Sequence, residues 1–425
     1  MIIHIDCNTF YVSCEISLRP DLLGKPVVVA NCNEAGGGVI LALNKEAKSL
    51  GLKRGIPVFQ VRDLLEKHRV AVFPANLPKY VDISRRLMQV VRDQEIVLHF
   101  QQYSVDEFFG ELPVDDAQQL RRYALKVKQH IEHCTGIPVS CGISATYTLA
   151  KVATWYAKHY QGYQGVCVLL QENYEKALRG IPITDVWGIG RRTAPRMEEM
   201  AIHTAFDFIQ KPAFVVKQRF KVTGLRTWQE LQGTRCITIE SPALQRTMMH
   251  SRTFTYMTSD RQQLRTCISN YAVAVARKLR DQHSVCLSVG VFISTNSHRE
   301  DLEQYGMSAS TRLSVATADT ALITKAALEV FERIFRPGYH YKKAGVVLLE
   351  ITSDEAIQLD LFDSPNHDIQ KSRKLMETMD ALNRKYGMDS VRLASQGFET
   401  TTPNLTNFQP LRNETTNIND IIEVK

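Results

Sequence analysis

The sequence opens Ile2-Ile3-His4-Ile5-Asp6-Cys7-Asn8-Thr9-Phe10-Tyr11, and about a hundred residues later it reads Tyr103-Ser104-Val105-Asp106-Glu107-Phe108-Phe109. In both stretches a carboxylate follows a short apolar run with strand character (Ile2, Ile3 and Ile5; Tyr103 and Val105). Carboxylates at strand ends that meet in space suit two Mg²⁺ ions, because hard cations take oxygen ligands and Mg²⁺ shares them with substrate phosphates. The Phe10-Tyr11 pair beside Asp6 predicts a wall that faces a sugar, and the combination points to nucleotidyl transfer. Taken singly the clusters say less: Asp6 could cap a helix, and Asp106-Glu107 could be a solvated strand edge. Neighbours in a regular strand point to opposite faces. Asp106 and Glu107 therefore reach one ion only where the strand ends, bulges or turns, and Gly110 predicts such a turn.

The chain has 425 residues, 44% apolar and 23% charged, with a net charge of +7. That length suits roughly two to four domains of ordinary globular composition. The mild positive charge permits a polyanionic partner without requiring one. No Cys-x-x-Cys pair occurs, which predicts buried reduced thiols rather than a disulfide framework or a zinc site. No apolar run approaches the ~20 residues of a membrane span, and strand character from residue 2 argues against a signal peptide. A cytoplasmic protein is expected.

Working outward, residues 1–20 read as strand then helix. Val27-Val28-Val29, the run Gly36-Gly37-Gly38, Val39-Ile40-Leu41 and a helix at Asn44-Lys45-Glu46-Ala47-Lys48 predict a small lobe inserted over 21–76. Residues 77–93 place Tyr80, Ile83, Leu87, Val90 and Val91 at helical spacing. A strand over 97–112, a helix over 117–134, the strand Val139–Ser144 and a helix from Leu149 to His159 predict an α+β sheet with helices on one face. From Cys167 to Arg235 the pattern is helical throughout and locally basic. From Thr247 to Ile351 it reads strand (Arg252–Tyr256), helix (Ile268–Arg280), strand (Val285–Ser294), helix (Asp319–Phe335), strand (Ala344–Ile351). This is a second α/β sandwich, expected to carry Arg246, His250, Arg252 and Arg261 on its outer face. Polar residues 353–368 read as a linker, and a helix over 369–386 precedes a Thr/Asn-rich tail.

Several motifs sit on this frame. A strand-to-helix turn at Cys7–Tyr11 presents free backbone amides, a seat for phosphate. Lys151 and Lys158 lie seven apart on one expected helix, and Lys45 and Lys48 three apart on another. Each pair is either a solvated face or part of the converging cations that a triphosphate needs. The glycine run has no Gly-Lys-Ser/Thr after it, so it is a tight loop and not a P-loop. Val186-Trp187-Gly188-Ile189-Gly190-Arg191-Arg192 is either an ordinary helix–helix turn or a place where bare amides meet a DNA phosphate. Gln358-Leu359-Asp360-Leu361-Phe362 puts apolar side chains into a polar stretch, to dock on the protein itself or on a partner.

The strings Ile5–Tyr11, Asn44–Lys48, Tyr103–Glu107 and Cys141-Gly142-Ile143-Ser144 leading to Ala150-Lys151-Val152-Ala153, in this order and at these separations, resemble the Y-family of translesion DNA polymerases. The similarity spans about residues 1–350, and within the family the chain looks most like the UmuC-type catalytic subunit of polymerase V. The resemblance implies a right-hand polymerase: palm (1–20 and 77–166), fingers (21–76), all-helical thumb with a helix–hairpin–helix (167–234), a small α/β little finger (240–352), a linker with a clamp peptide (353–368) and a C-terminal extension (369–425). It implies two Mg²⁺ ions held by Asp6, Asp106, Glu107 and the backbone carbonyl of Cys7. Tyr11 matches the steric gate that excludes a ribose 2′-hydroxyl. Phe10, Tyr11, Lys48 and Lys158 would line the triphosphate, while Gly188, Gly190, Arg191, Arg192, Arg246 and Arg252 would meet DNA. Gln358, Leu359, Leu361 and Phe362 are similar to the bacterial sliding-clamp peptide.

The implied substrates are primer-template DNA and deoxynucleoside triphosphates. The implied partners are the clamp, a dimer related to processed UmuD and a RecA filament, with SOS-type repair at the nucleoid as the setting and no membrane. The chain departs from the family pattern in places. Lys45-Glu46-Ala47-Lys48 stands where much of the family has Tyr-Glu-Ala-Arg, so Lys48 replaces a bidentate guanidinium with a point charge. The 31–38 loop and the stretch 400–413 also differ. Two rival readings are a non-catalytic clamp-tethered DNA-binding protein, which has no use for three carboxylates, and a metal-dependent nuclease, which has no use for Tyr11. A stand-alone polymerase IV type is the alternative within the family.

Overall fold

The computed structural model describes residues 1–31, 38–94, 97–239, 244–355 and 369–397. Two compact units divide them between Ile239 and the residues after 243.

In the first unit, β1 (Ile2–Cys7) runs into α1 (Phe10–Leu18). A small sheet follows, built from β2 (Val27–Ala30), β3 (Ile40–Leu43) and β4 (Ala71–Pro74), with α2 (Lys45–Ser49) and α3 (Arg62–Lys67) between the last two. Gly36 and Gly37 lie outside the described residues. Gly38 has φ +124°, and a Cβ there would meet the Asn31 carbonyl.

The chain then returns through α4 (Leu77–Arg92), β5 (Leu98–Gln102), β6 (Glu107–Glu111), α5 (Ala117–Thr135), β7 (Val139–Ser144), α6 (Tyr147–His159) and β8 (Val166–Val168). The resulting five-stranded sheet has the order β5-β6-β1-β7-β8. Alternation along β1 sets the layers. Ile3, Ile5 and Cys7 enter the core made with α4 and α5. His4 points the other way and meets Thr154 of α6 at 2.8 Å. Helices therefore cover both faces, not the single face expected. Gly142 allows this, since a Cβ there would lie 2.2 Å from the Thr154 nitrogen.

The expected strand over 97–112 is a hairpin, β5 and β6, whose turn contains Asp106. Gly110 lies within β6 opposite Ile3 rather than at a turn. Its missing side chain makes room for Val97, which a Cβ would approach to 2.2 Å. Val166–Val168 is likewise not helical; it adds a parallel edge strand to β7.

Helices α7 (Tyr174–Gly180), α8 (Ala194–Glu198), α9 (Ala205–Ile209) and α10 (Ala213–Leu231) share a core with one side of α6. The carboxylate of Glu230, fully buried, accepts hydrogen bonds from the amides of Cys236, Ile237 and Thr148. That fastens α10 to the start of α6.

The second unit contains β9 (Met248–Thr258), α11 (Arg261–Asp281), β10 (Ser284–Thr295), β11 (Gly306–Thr317), α12 (Thr320–Ile334), β12 (Tyr341–Ser353) and α13 (Ile369–Tyr386). Its sheet runs β11-β10-β12-β9. Strand β11 was not expected from the sequence. It is an edge strand of small and polar residues, so no apolar alternation marks it. Arg252 pairs opposite Ala344, which is buried with α11 and α12. Directly opposed residues share a face, so Arg252 and His250 stand on the helical side rather than on the open outer face. The His250 ring lies 5.3 Å from Tyr271 of α11. Arg261 is paired with Glu332 at 2.5 Å.

Helix α13 packs onto this unit through buried Met376 and Met379, while Leu375 and Leu382 stay exposed. Arg280 grips Asp380 with two bonds, at 2.6 and 2.8 Å, and Ser372 bonds Asp319. Gln396 is buried against Asn270. Arg373 meets Asp354 at 3.3 Å. The clamp-type residues Gln358, Leu359, Leu361 and Phe362 lie outside the described residues, as does the divergent stretch 400–413.

Candidate active site

Two strands bring the carboxylates together. Asp6 near the end of β1 is in register with Glu107 at the start of β6, so both project to the α6 side of the sheet. Asp106 sits one residue before β6, where the regular strand has not begun. This frees it from the alternation that would turn it away. Ser104 fastens the turn: its hydroxyl donates to Asp106 Oδ1 at 2.5 Å and receives the Glu107 amide at 3.1 Å. The Cys7 amide donates to the Asp106 carbonyl at 2.9 Å, tying the two strand ends to each other.

Helix α6 supplies the counter-charge. Lys158 Nζ lies 2.5 Å from Asp6 Oδ1, and Lys151 Nζ lies 2.8 Å from Glu107 Oε1. Burial pushes the Asp6 carboxyl up to about 6; Lys158 opposes that shift, and the charges of Glu107 and Asp106 add to it. Carboxylates crowded this closely favour protonation unless cations accompany them. A cation needs the ionised form, so a proton competes with it as the pH falls through 6. The concentration of Mn²⁺ that half-saturates the protein is expected to be flat above pH 7 and to rise about tenfold per pH unit below 6 for one competing proton. Titrations at pH 5, 6 and 7.5 check this.

His4 is a site residue to which sequence reasoning gave no role. Two residues before Asp6 on a strand, it shares that residue's face, and this was the available signal. Burial, with Lys151 and Lys158 nearby, pushes its pKa well down, so the ring is neutral. Its Nε2 is buried without a hydrogen-bond partner among the described residues and faces Glu107 Oε1 at 3.7 Å. Donor atoms of His4, Asp6 and Glu107 all lie within 4.8 Å of one another. An orphaned ring nitrogen beside two carboxylates is a donor set that fits a divalent cation.

The Tyr11 ring is half-buried at the start of α1 and stacks on Tyr80 of α4, with centroids 4.6 Å apart and planes 18° from parallel. Burial and Asp106 raise its hydroxyl pKa while Arg54 lowers it. The gate candidate thus stands near both the acidic cluster and a cation that the sequence reading did not name. Arg54 follows α2, whose Lys48 is exposed in the last turn. Phe10, by contrast, is 3% exposed and belongs to the core. Its side chain cannot line a triphosphate.

Behind Tyr11 lies a buried polar group that was also missed. The Tyr80 hydroxyl donates to Glu15 Oε1 at 2.6 Å, and Lys79 Nζ meets Glu15 Oε2 at 2.7 Å. Glu15 comes four residues after Tyr11, hence on the same face of α1.

At the Gly188–Arg192 turn, Gly188 has φ +90°, and a Cβ there would lie 2.7 Å from Thr227 Oγ1 of α10. Gly190 has open space around it, and Arg191 and Arg192 are exposed. Gly188→Ala combines backbone strain with a clash. It is expected to cost about 1–3 kcal/mol of stability, read by urea denaturation.

Residues 5–155 match the model of the impB/mucB/samB family, 245–361 match that family's C-terminal domain, and 373–424 match a domain of unknown function, DUF4113. The chain is 35% identical over 397 residues to Protein UmuC of Salmonella typhimurium, covering 92% of both. It is 34% identical to Protein MucB of Escherichia coli, covering 93% of both. DNA polymerase IV of Oceanobacillus iheyensis is 27% identical, over 92% of this chain and 90% of the relative. Among solved structures, a Y-family DNA polymerase chimera of Dbh and Dpo4 matches with a TM-score of 0.64 at 21% identity, over 83% of this chain and 99% of the other. An insertion ternary complex of Dbh DNA polymerase matches with a TM-score of 0.53 over the same shares. The register of Asp6 against Glu107 and the sheet that carries it suit these relatives: the chain belongs to the impB/mucB/samB family, on a fold shared with a solved Y-family DNA polymerase chimera.

Proposed function

We propose that this chain extends a primer 3′ end opposite damaged template by two-metal-ion nucleotidyl transfer, in an SOS-type response. The observation that carries the reading is the cluster of Asp6, Asp106 and Glu107 at two adjoining strand ends with the Tyr11 ring nearby. In this reading the five-stranded sheet is the palm, the three-stranded sheet the fingers, α7–α10 the thumb and the second unit the little finger. Asp6, Asp106, Glu107 and the Cys7 carbonyl would hold two Mg²⁺ ions. Such ions, when bound, lower the pKa of the primer 3′-hydroxyl and offset charge on the leaving pyrophosphate.

The chain's own residues then do mostly positioning, as in-line phosphoryl transfer requires. Lys158, Lys48 and Arg54 supply positive charge for the triphosphate. The Tyr11 ring takes the space that a 2′-hydroxyl would need, rejecting ribonucleotides by clash. Gly188, Gly190, Arg191 and Arg192 would grip the DNA backbone without reading its sequence, so affinity should fall with salt. The clamp peptide and the dimer and filament partners rest on the resemblance of the sequence motifs alone.

Primer extension on undamaged and abasic templates, with and without Mg²⁺, tests the reading. Metal-dependent insertion opposite the abasic position supports it, and a purified protein that binds primer-template yet adds no nucleotide under any divalent ion rejects it. Within the same assay, Tyr11→Ala is expected to raise ribonucleotide insertion relative to deoxynucleotide by roughly 100-fold.

A further inference from the structure

The Lys151 ammonium is enclosed. Besides Glu107 at 2.8 Å, it lies 4.7 Å from the Tyr103 ring centroid, 5.4 Å from Trp187 and 5.8 Å from Phe109. The rings also hold one another. The Trp187 indole N–H donates to the Tyr103 hydroxyl at 3.1 Å, and Tyr103 sits edge-on to both Trp187 and Phe109. An ammonium over an aromatic face is attracted by the ring quadrupole, more strongly as water is excluded. The lysine side chain is only 15% exposed. The cage thus fixes where Lys151 can be, and Lys151 fixes where Glu107 can be.

One wall of that cage comes from elsewhere in the chain. Trp187 sits between buried Val186 and Gly188, directly before the turn that presents Gly190 and Arg191. Tyr103, its hydrogen-bond partner, opens the turn that carries Asp106: the amides of Tyr103 and Ser104 both donate to the Glu107 carbonyl, at 3.0 and 3.1 Å. A single indole therefore touches the lysine that holds Glu107 and the residue that begins the Asp106 turn.

We propose that Trp187 is a positioning residue that couples the Gly188–Arg192 hairpin to the metal-binding carboxylates through the Lys151 cage. The inference rests on the polymerase reading for its consequence, while its mechanical content concerns the carboxylates alone. A hairpin seated on a DNA phosphate holds the indole, the indole holds Lys151 and Tyr103, and these hold Glu107 and the Asp106 turn. Outer partners of metal-ligating carboxylates typically change metal affinity or activity by about 10–100-fold when removed.

The test uses the full chain with Trp187→Ala, Trp187→Phe and Tyr103→Phe, each first compared with the parent by thermal melting. Three quantities are read: Mn²⁺ binding by electron paramagnetic resonance without DNA, primer-template affinity by anisotropy, and the Mg²⁺ dependence of primer extension. For Trp187→Ala, Mn²⁺ binding is expected to weaken about tenfold or more and half-maximal Mg²⁺ to rise in step. Trp187→Phe keeps a ring wall and should recover most of the loss. Tyr103→Phe deletes only the hydroxyl and should fall between. Weakened DNA binding with unaltered Mn²⁺ affinity would show that Trp187 serves the hairpin alone and overturn the coupling. So would full Mn²⁺ affinity in all three variants. If Trp187→Ala fails to fold, Tyr103→Phe decides: weakened Mn²⁺ binding supports the coupling, and unaltered Mn²⁺ binding overturns it. A parent protein that binds Mn²⁺ but extends no primer would refute the polymerase reading and leave the Mn²⁺ comparison to judge the cage.

Discussion

Asp106→Ala is expected to abolish primer extension while leaving the melting temperature within a few degrees of the parent. The side chain is only partly buried, and its one side-chain bond among the described residues is to Ser104, two residues away, so little packing is lost. What disappears is negative charge at the point where both strand ends meet. Removing one preorganised electrostatic contact costs roughly 10²–10³ in rate, and a shared metal ligand should exceed that range, on the order of 4 kcal/mol or more of barrier. Single-turnover extension checks it. Loss of less than tenfold would mean that Asp106 ligates nothing.

Glu15→Ala should have the largest effect on stability. This carboxylate is 4% exposed, and it serves both Lys79, 6% exposed, and Tyr80, 1% exposed. Removing the carboxylate takes the acceptor from a buried Tyr80 hydroxyl and one anion from the buried Lys79 ammonium, at a cost of about 1–3 kcal/mol for an unsatisfied buried group. Glu15→Gln preserves an acceptor for the Tyr80 hydroxyl and should lose less. The effect should extend to selectivity, since the Tyr80 ring carries Tyr11. Among folded molecules of the Ala variant, discrimination against ribonucleotides should fall several-fold. Urea denaturation with competitive insertion of ribo- and deoxynucleotides separates the two consequences.

The sequence made the acidic centre legible because its signal is local and chemical: short apolar runs, each ending in a carboxylate. The register of Asp6 with Glu107 was implicit in that symmetry, but the position of Asp106 depended on where β6 begins, which Gly110 suggested wrongly. Strands were missed where burial was one-sided or small: β11 at a solvated edge, and the three residues of β8. The helix over Leu149–His159 was expected, but its place on the second face of the first sheet was missed because Gly142 gives no periodic signal; the role of that glycine is to lack a side chain. The Glu15–Lys79–Tyr80 group could not be read from spacing, since partners 64 and 65 residues apart meet only through tertiary packing. His4 was visible as a letter but carried no role until its unpartnered nitrogen was seen beside Glu107.

The ion pair of Arg373 with Asp354 has a mechanical consequence. The polypeptide leaves β12 at Ser353, and α13 lies back beside that exit, so a pull on α13 divides between two ion pairs: Arg373 with Asp354 just past the strand, and Arg280 of α11 with Asp380. Releasing one grip leaves the other to hold the helix, which makes α13 a braced strut rather than a hinged arm.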